Sequence, residues 1–210
     1  MAVITVSRQY GSGGAEVAKL VGQRLGWTVI DNEFVELVAQ RSGLPAAEVE
    51  RLEERVPGLM ERLAQALALA SPEVFVVTGE TPTTGPAPEE EVVRFTEAVI
   101  NEAVKHDHVV LVGRGAQAFL AQRENTLHVF VGAPREVRVR RAMERHQVDH
   151  KAAERMVDEL DHSRRRYVKT HYGRVWDDPN NYHLILNSDR LRYEEIAELI
   201  VNAVRRRGWQ

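Results

Sequence analysis

The 210-residue chain has no cysteine. Disulfides, thiolate metal sites and cysteine nucleophiles are therefore outside its chemistry. No apolar run approaches ~18 residues, so no membrane-spanning helix is expected. The first residues, Met1-Ala2-Val3-Ile4-Thr5-Val6, carry neither a basic leader nor a long apolar stretch. No secretion signal is expected from them, and the cytoplasm is the expected compartment. What is present is ordinary for a globular protein: 43% hydrophobic and 28% charged residues. Val, Leu, Ile and Ala recur with clear periods, which excludes disorder as the main state. The length fits one domain, or one domain with a sizeable insertion, and can bury a real core.

The formal charge of −3 is unevenly spread. Residues 135–174 hold 12 of the 28 lysines and arginines but only 7 acidic residues. That segment is net positive in an otherwise acidic chain. The pattern points to a local anionic ligand rather than to a polyanion lying across the whole surface.

Val3-Ile4-Thr5-Val6 reads as a buried strand that runs into the glycine-rich turn Gly11-Ser12-Gly13-Gly14. A helix follows, with Val17, Leu20, Val21 and Leu25 on one face, and Gly26 stops it. Trp27-Thr28-Val29-Ile30 is a second strand, ending at Asp31. Helices are expected over 33–42, 46–70 and about 89–106, with a Thr-, Pro- and Gly-rich loop at 78–88. Further strands are expected at Val109-Val110-Leu111-Val112, at 127–131 and at 183–186, and a last helix carries Ile196, Leu199, Ile200, Ala203 and Val204. The order predicts a three-layer α/β domain with a parallel sheet of about five strands.

In such a sheet, ligands sit beyond the carboxyl ends of the strands. The loop Ser7-Arg8-Gln9-Tyr10-Gly11-Ser12-Gly13-Gly14 lies at one of these ends and opens a helix. Its glycines let backbone N–H groups approach an anion, and the helix start adds unpaired donors. A phosphate site competes here with a merely structural turn. The pattern G-x-x-x-x-G-K-[ST] is not met, because no lysine follows the glycines and Glu16 stands where a hydroxyl would bind Mg²⁺.

The residues Ile4-Thr5-Val6-Ser7-Arg8-Gln9-Tyr10-Gly11-Ser12-Gly13-Gly14, followed by Leu25-Gly26-Trp27 and Asp31, resemble the cytidylate kinase-like family of P-loop nucleoside monophosphate kinases. In ordinary cytidylate kinases this loop runs roughly D-G-P-x-G-S-G-K-[GS]-T. Gly14 falls at the lysine position and Glu16 at the threonine position. The resemblance continues along nearly the whole chain. Asp31 falls where these kinases carry an acid near the nucleotide acceptor. Val112-Gly113-Arg114-Gly115 resembles the G-R-D turn whose arginine grips the monophosphate, with Gly115 in place of the acid. Ala133-Pro134-Arg135-Glu136 through Arg140-Arg141 resembles the start of the lid helix. Asp158 to Arg166 resembles the R-D-x-x-D-S-x-R lid element, matched at Asp161 and Arg164. Leu186-Asn187-Ser188-Asp189 resembles the loop bordering the adenine ring.

The resemblance implies a three-layer P-loop NTPase-type fold with a five-stranded parallel sheet. It implies one domain over 1–210, with an acceptor-side helical insertion at about 33–90 and a helical lid at about 135–172. ATP and Mg²⁺ are the implied cofactors, with the β/γ-phosphates and the metal on residues 8–16: Gly11, Ser12, Gly13, Gly14, Ala15 and Glu16, the last also the candidate Mg²⁺ ligand. The acceptor, a nucleoside monophosphate with CMP or dCMP favoured, lies between Asp31, Arg114 and the lid. Arg8 is the candidate for the missing lysine's charge, helped by Arg141 and Arg164, with Asp161 orienting Arg164. Arg138, Arg145 and Arg165 are further lid candidates, set against solvated faces paired with Glu136, Glu144, Asp158 or Asp161.

Glu16 reads equally as a first-turn acid complementing the helix dipole, and Lys19 is expected to face solvent. His146 and His150 have metal-binding i, i+4 spacing but no third ligand. Trp176-Asp177-Asp178 reads first as a turn. Tyr167, Tyr172 and Trp176 are open between stacking on a base and covering the lid. The first expectation is therefore a kinase. The alternative is a nucleotide-binding sensor or partner protein with a degenerate loop and no turnover. Neither a nucleic acid nor a membrane is an expected partner. Segment 45–90 is open between covering the acceptor and a contact in a homo-oligomer.

Overall fold

The computed structural model describes residues 1–31, 89–106 and 108–209. The chain divides into two compact units, Met1–Asp31 with His108–Gln210, and Asn32–Asp107. The helices expected at 33–42 and 46–70 and the loop expected at 78–88 lie outside the described residues.

In the first unit, β1 (Val3–Arg8), β2 (Thr28–Ile30), β3 (Val109–Val112), β4 (Thr126–Gly132) and β5 (Leu184–Asn187) form one sheet in the order β2-β3-β1-β4-β5. Every pairing is parallel, with Val3 beside Val109 and Thr126. The fold is the expected α/β class. The helices of this unit are α1 (Gly14–Leu25), the short α3 (Ala116–Phe119), α4 (Arg135–His146), α5 (His150–Tyr172) and α6 (Tyr193–Arg206). In the second unit, α2 (Glu89–His106) buries Val93, Thr96, Val99, Ile100, Ala103 and Val104, a helical stripe.

Alternation along the strands decides the layers. Ile4, Val6, Val110, Val112, Leu127, Val129 and Val131 join α1 (Val17, Ala18, Val21) and α6 (Ile196, Ala197, Ile200, Val201, Val204) in one core. The intervening Phe130 packs with Ala118, Val168 and Trp176 from the α3 and α5 side. Thr5 and His128 alternate with that core and satisfy each other, Thr5 Oγ1 to His128 Nδ1 at 2.8 Å. Burial with no carboxylate partner pushes the His128 imidazole down to about 4, helped by His183 and Arg174.

A smaller core of Val139, Ala142, Ala153 and Val157 joins α4 to α5 and takes in Tyr10. It seats the two basic helices against the glycine-rich loop. The helices break between His146 and His150, where Gln147 takes φ 53° and Asp149 caps α5 by accepting from the Ala152 N–H at 2.7 Å. The i, i+4 premise for a His146–His150 pair on one helix therefore fails. His146 Nε2 instead meets the Tyr10 hydroxyl at 2.5 Å, and His150 lies beside Glu154 at 3.4 Å.

Candidate functional site

The loop between β1 and α1 is held by bonds within itself and to the end of β4. The Ser12 N–H closes a turn onto the Gln9 carbonyl at 3.2 Å. The Ser12 hydroxyl is fully buried and turns its single proton inward, where the carbonyls of Gln9 (2.8 Å) and Val131 (3.0 Å) share it. Gln9 anchors the other side, its Oε1 accepting from the Ala133 N–H at 3.1 Å. Gly13, at φ 77°, starts α1, and a Cβ there would strike the Tyr193 ring. The first N–H groups of α1, on Gly14, Ala15 and Glu16, have no intrahelical acceptor by geometry. They form the donor set that an anion needs.

Arg8 ends β1, and its side chain passes directly beside Gly14. A Cβ on residue 14 would fall on the Arg8 Cβ and lie 2.9 Å from its Cγ. The Arg8 guanidinium then reaches β3's end, where a Cβ on Gly113 would lie 2.7 Å from Arg8 Cζ. In the D-G-P-x-G-S-G-K pattern, counting back from Gly14 puts the first glycine on Arg8. Set against that pattern, this chain carries the long cation at position 8 and glycine at position 14, and the Arg8 side chain occupies the space that a side chain at 14 would need.

Two further arginines approach the same point. Arg164, on α5, donates to the Arg8 carbonyl at 3.0 Å and to Asp161 Oδ1 at 3.3 Å. Arg114 sits in a turn where Gly113, Arg114 and Gly115 all take positive φ (77°, 51° and 66°). For a non-glycine residue that conformation is strained, and strain of this kind concentrates at ligand sites. Gly115 is sterically required, since a Cβ there would lie 2.5 Å from Tyr172 Cε2 and 3.1 Å from Tyr167 Cε1. Burial first, then Arg164 and Arg114, pushes the Arg8 guanidinium down to about 9, against the pull of Asp31 and Glu16. Burial also lowers Arg164, against the pull of Asp161. An anion among these three arginines would relieve that strain.

Two basic side chains of α4, Arg138 and Arg141, face the protein itself. Arg138 is buried and donates to the carbonyls of Ala133 (3.0 Å) and Tyr10 (3.1 Å) and to Asp161 Oδ2 (2.7 Å). Asp161 is also buried and accepts from the Tyr10 N–H at 2.8 Å. It therefore touches the loop, Arg138 and Arg164 at once. Arg141 donates to the Gly11 carbonyl (3.3 Å) and to the Ser188 hydroxyl and carbonyl (3.0 and 2.8 Å). It ties the loop to the segment before α6.

Glu16 lies on the exposed first turn of α1, 3.4 Å from Arg145. Asp31 directly follows β2, close enough to Arg8 to act on its charge. Lys19 is exposed. Trp176 is buried against Phe130, with Arg165 over its ring, so it is part of the core rather than a platform for a base. Tyr167 and Tyr172 pack on Gly115. Asp178 caps the single turn Pro179–Asn181 by accepting from the Asn180 N–H, as the turn reading expected. Among the described residues no cluster of three His, Asp or Glu side chains could hold a metal ion. Sequence reasoning placed Gln9 and Tyr10 in the loop without giving them a role, and it missed Tyr193. Tyr193 is the first residue of α6, a loop-to-helix junction that could have signalled it.

Solved structures share the fold at low identity. An uncharacterized protein from Eubacterium ventriosum matches over 98% of this chain and 99% of its own, with TM-score 0.70 and 18% identity. Shikimate kinase from Bacteroides thetaiotaomicron gives TM-score 0.53 and 12% identity, covering 97% and 98%. Shikimate kinase from Acinetobacter baumannii, in complex with shikimate, gives 0.51 and 13%, covering 100% and 96%. No curated protein matches the chain. The profile of the cytidylate kinase-like family matches residues 3–190, nearly the whole chain. With the parallel sheet and the glycine loop in place, the chain belongs to the cytidylate kinase-like family.

Proposed function

We propose that the protein transfers the terminal phosphoryl group of ATP to a nucleoside monophosphate, CMP or dCMP first, with Arg8 replacing the usual loop lysine. The observation that carries this reading is the arrangement at positions 8 and 14. A glycine at 14 opens the space through which Arg8 reaches the strand ends. The chain has thus lost the lysine while keeping a buried cation at the phosphate edge. Family membership and the P-loop kinase fold support a kinase-like phosphotransferase in general.

The residues fit the cofactors. The glycine cradle and the N–H groups of Gly14, Ala15 and Glu16 suit a polyphosphate. Mg²⁺ in such sites is held by one or two carboxylates plus the phosphates themselves, and Glu16 is the candidate carboxylate. Bound ATP–Mg²⁺ would supply the phosphoryl group and part of the charge shielding. Arg8 and Arg164 hold the transferring group between loop and strand end, and Arg141 fixes the loop carbonyl on which that geometry rests. Asp161 orients Arg164. Arg114 grips the acceptor phosphate and Asp31 faces the acceptor. Positioning and charge neutralisation are the main requirements, and no protein nucleophile is needed.

The paired charges of α4 and α5 support a small ligand rather than a nucleic acid. Arg135 bonds Glu154 and Asp158, and Arg165 bonds Asp177. Among the described residues no helix is long and apolar enough to cross a membrane, and the cytoplasm is the compartment proposed. A second reading, nucleotide binding without turnover, is favoured by Glu16 facing Arg145 and by the tyrosines that force Gly115.

The test is ADP formation from ATP and Mg²⁺ with CMP, dCMP, UMP, AMP, GMP and shikimate. Stimulation by CMP or dCMP is expected, and Arg8→Ala should abolish ATP binding. Stimulation by shikimate alone would overturn the nucleotide acceptor. ATP binding without stimulation by any acceptor would leave the second reading. Unchanged ATP affinity in Arg8→Ala would remove Arg8 from the site.

A further inference from the structure

We propose that a cleft at the amino-terminal edge of the sheet is a second binding site, for a small phosphate-bearing anion. The cleft has a volume of about 350 Å³, and its walls include Arg123, Arg174, Arg207, His183 and Trp209. It adjoins the starts of β4 and β5, the opposite edge from the glycine loop, so a ligand there takes no part in phosphoryl transfer.

The lining is rich in arginine. The two positive charges of Arg174 and Arg207 match a phosphate monoester dianion better than a monocarboxylate. Arg174 donates to Asn181 Oδ1 at 2.9 Å, which fixes its fork at the wall, and Arg207 lies over the Trp209 ring at 5.4 Å. Neither has an ion pair among the described residues, in contrast to Arg135, Arg138 and Arg165.

The remaining polar groups hold the wall in place. Gln117 donates to the Asn181 carbonyl at 3.0 Å and Asn181 to the Val175 carbonyl at 2.7 Å, so the wall is rigid. His183 Nδ1 accepts from the His128 N–H at 2.8 Å. The neutral ring therefore carries its proton on Nε2, which adds a donor to the arginine set. Planar guanidiniums held in place in this way recognise phosphate by paired hydrogen bonds.

The experiment titrates the full chain with inorganic phosphate at constant ionic strength, following the His183 and His128 imidazole resonances. Arg8→Ala removes the main cation of the loop and separates the two sites. Saturable His183 shifts are expected in the wild type and in Arg8→Ala. They should weaken at least about tenfold in Arg207→Gln, vanish in Arg207→Glu, and not be reproduced by acetate. Arg207 is exposed, so both variants should keep the wild-type Tm. No saturable shift, an undiminished response in Arg207→Glu, loss of the response in Arg8→Ala, or an equal response to acetate would each overturn the proposal. The failure of the kinase reading would leave these shifts untouched.

Discussion

The arginines of α4 and those gathered at the strand ends have opposite surroundings. Arg135 is held by Asp158 and Glu154, which raise its pKa further, and Arg138 is buried on Asp161. Arg8 and Arg164 are instead pushed down, chiefly by burial and, for Arg8, further by the neighbouring Arg164 and Arg114. A cation with its carboxylate already in place is part of the scaffold. Arg164 shares Asp161 with Arg138 and so stands between the two sets, whereas Arg8, buried beside two other arginines, is poised for a charge from outside. The basic segment at 135–174 therefore marks the neighbourhood of the site, while much of its charge holds the loop and helices in place.

The largest effect should come from breaking the scaffold set. Asp161→Ala leaves Arg138 buried without its carboxylate and takes an acceptor from the Tyr10 N–H. Removing one partner of a buried pair costs about 3–5 kcal/mol. Urea unfolding of wild type and variant would show it. A loss under about 1 kcal/mol would mean that the pair is not the clamp described.

A buried imidazole sharpens the contrast, because unlike arginine it can answer burial by giving up its charge. His128 stays neutral in the folded protein down to about 4, while an unfolded histidine titrates near 6.5. The folded state then binds fewer protons than the unfolded one between these values. Its contribution is complete above about 6.5 and is lost as the pH falls towards 4, by up to about 3 kcal/mol. His128→Asn keeps a polar group toward Thr5 and removes the titration. Stability measured from pH 7 to 4.5 should fall less steeply in the variant; identical slopes would rule out His128 as the cause.

The arrangement at positions 8 and 14 predicts a smaller effect with a clear rescue. Gly14→Lys restores the familiar loop lysine but drives its Cβ into Arg8. Overpacking of this kind costs about 1–3 kcal/mol. The single variant should lose both thermal stability and ATP affinity. Arg8→Gly combined with Gly14→Lys should recover both. A single variant that already binds ATP better than wild type would show that the two positions are independent.

Much of this was legible in the chain. The strands announced themselves as β-branched apolar runs, and the glycine loop by its position after the first of them. The boundaries shifted where chemistry begins: β1 continues through the polar Ser7 and Arg8, because both pair with β4 on their way to the site. The grouping of Arg8 with Arg114 and Arg164 was only partly legible. Resemblance supplied each residue, yet their meeting depends on a strained turn and on a helix 156 residues away from Arg8. The break at Gln147 was missed because α4 and α5 share one continuous basic pattern. Trp176 stayed open between stacking on a base and covering the lid, because nothing in its own segment showed that Phe130 would cover it.

The smallest effect separates the two roles open to Glu16. Its pair with Arg145 is exposed, with 69% of the arginine side chain and 44% of the glutamate side chain accessible. Pairs of that kind contribute at most ~1 kcal/mol. Arg145→Ala should therefore leave Tm almost unchanged, unlike Asp161→Ala. Glu16→Gln keeps the size and removes the charge. If the carboxylate helps to hold Mg²⁺, the Mg²⁺ concentration for half-maximal ATP binding should rise several-fold in Glu16→Gln and fall slightly in Arg145→Ala, which releases the carboxylate from its competitor. If Glu16 only complements the dipole of α1, the Mg²⁺ dependence stays unchanged in both and Tm drops by a few tenths of a kcal/mol equivalent in Glu16→Gln. The first outcome would extend the strand-end set by one carboxylate; the second would assign Glu16 to the scaffold, alongside the arginines of α4.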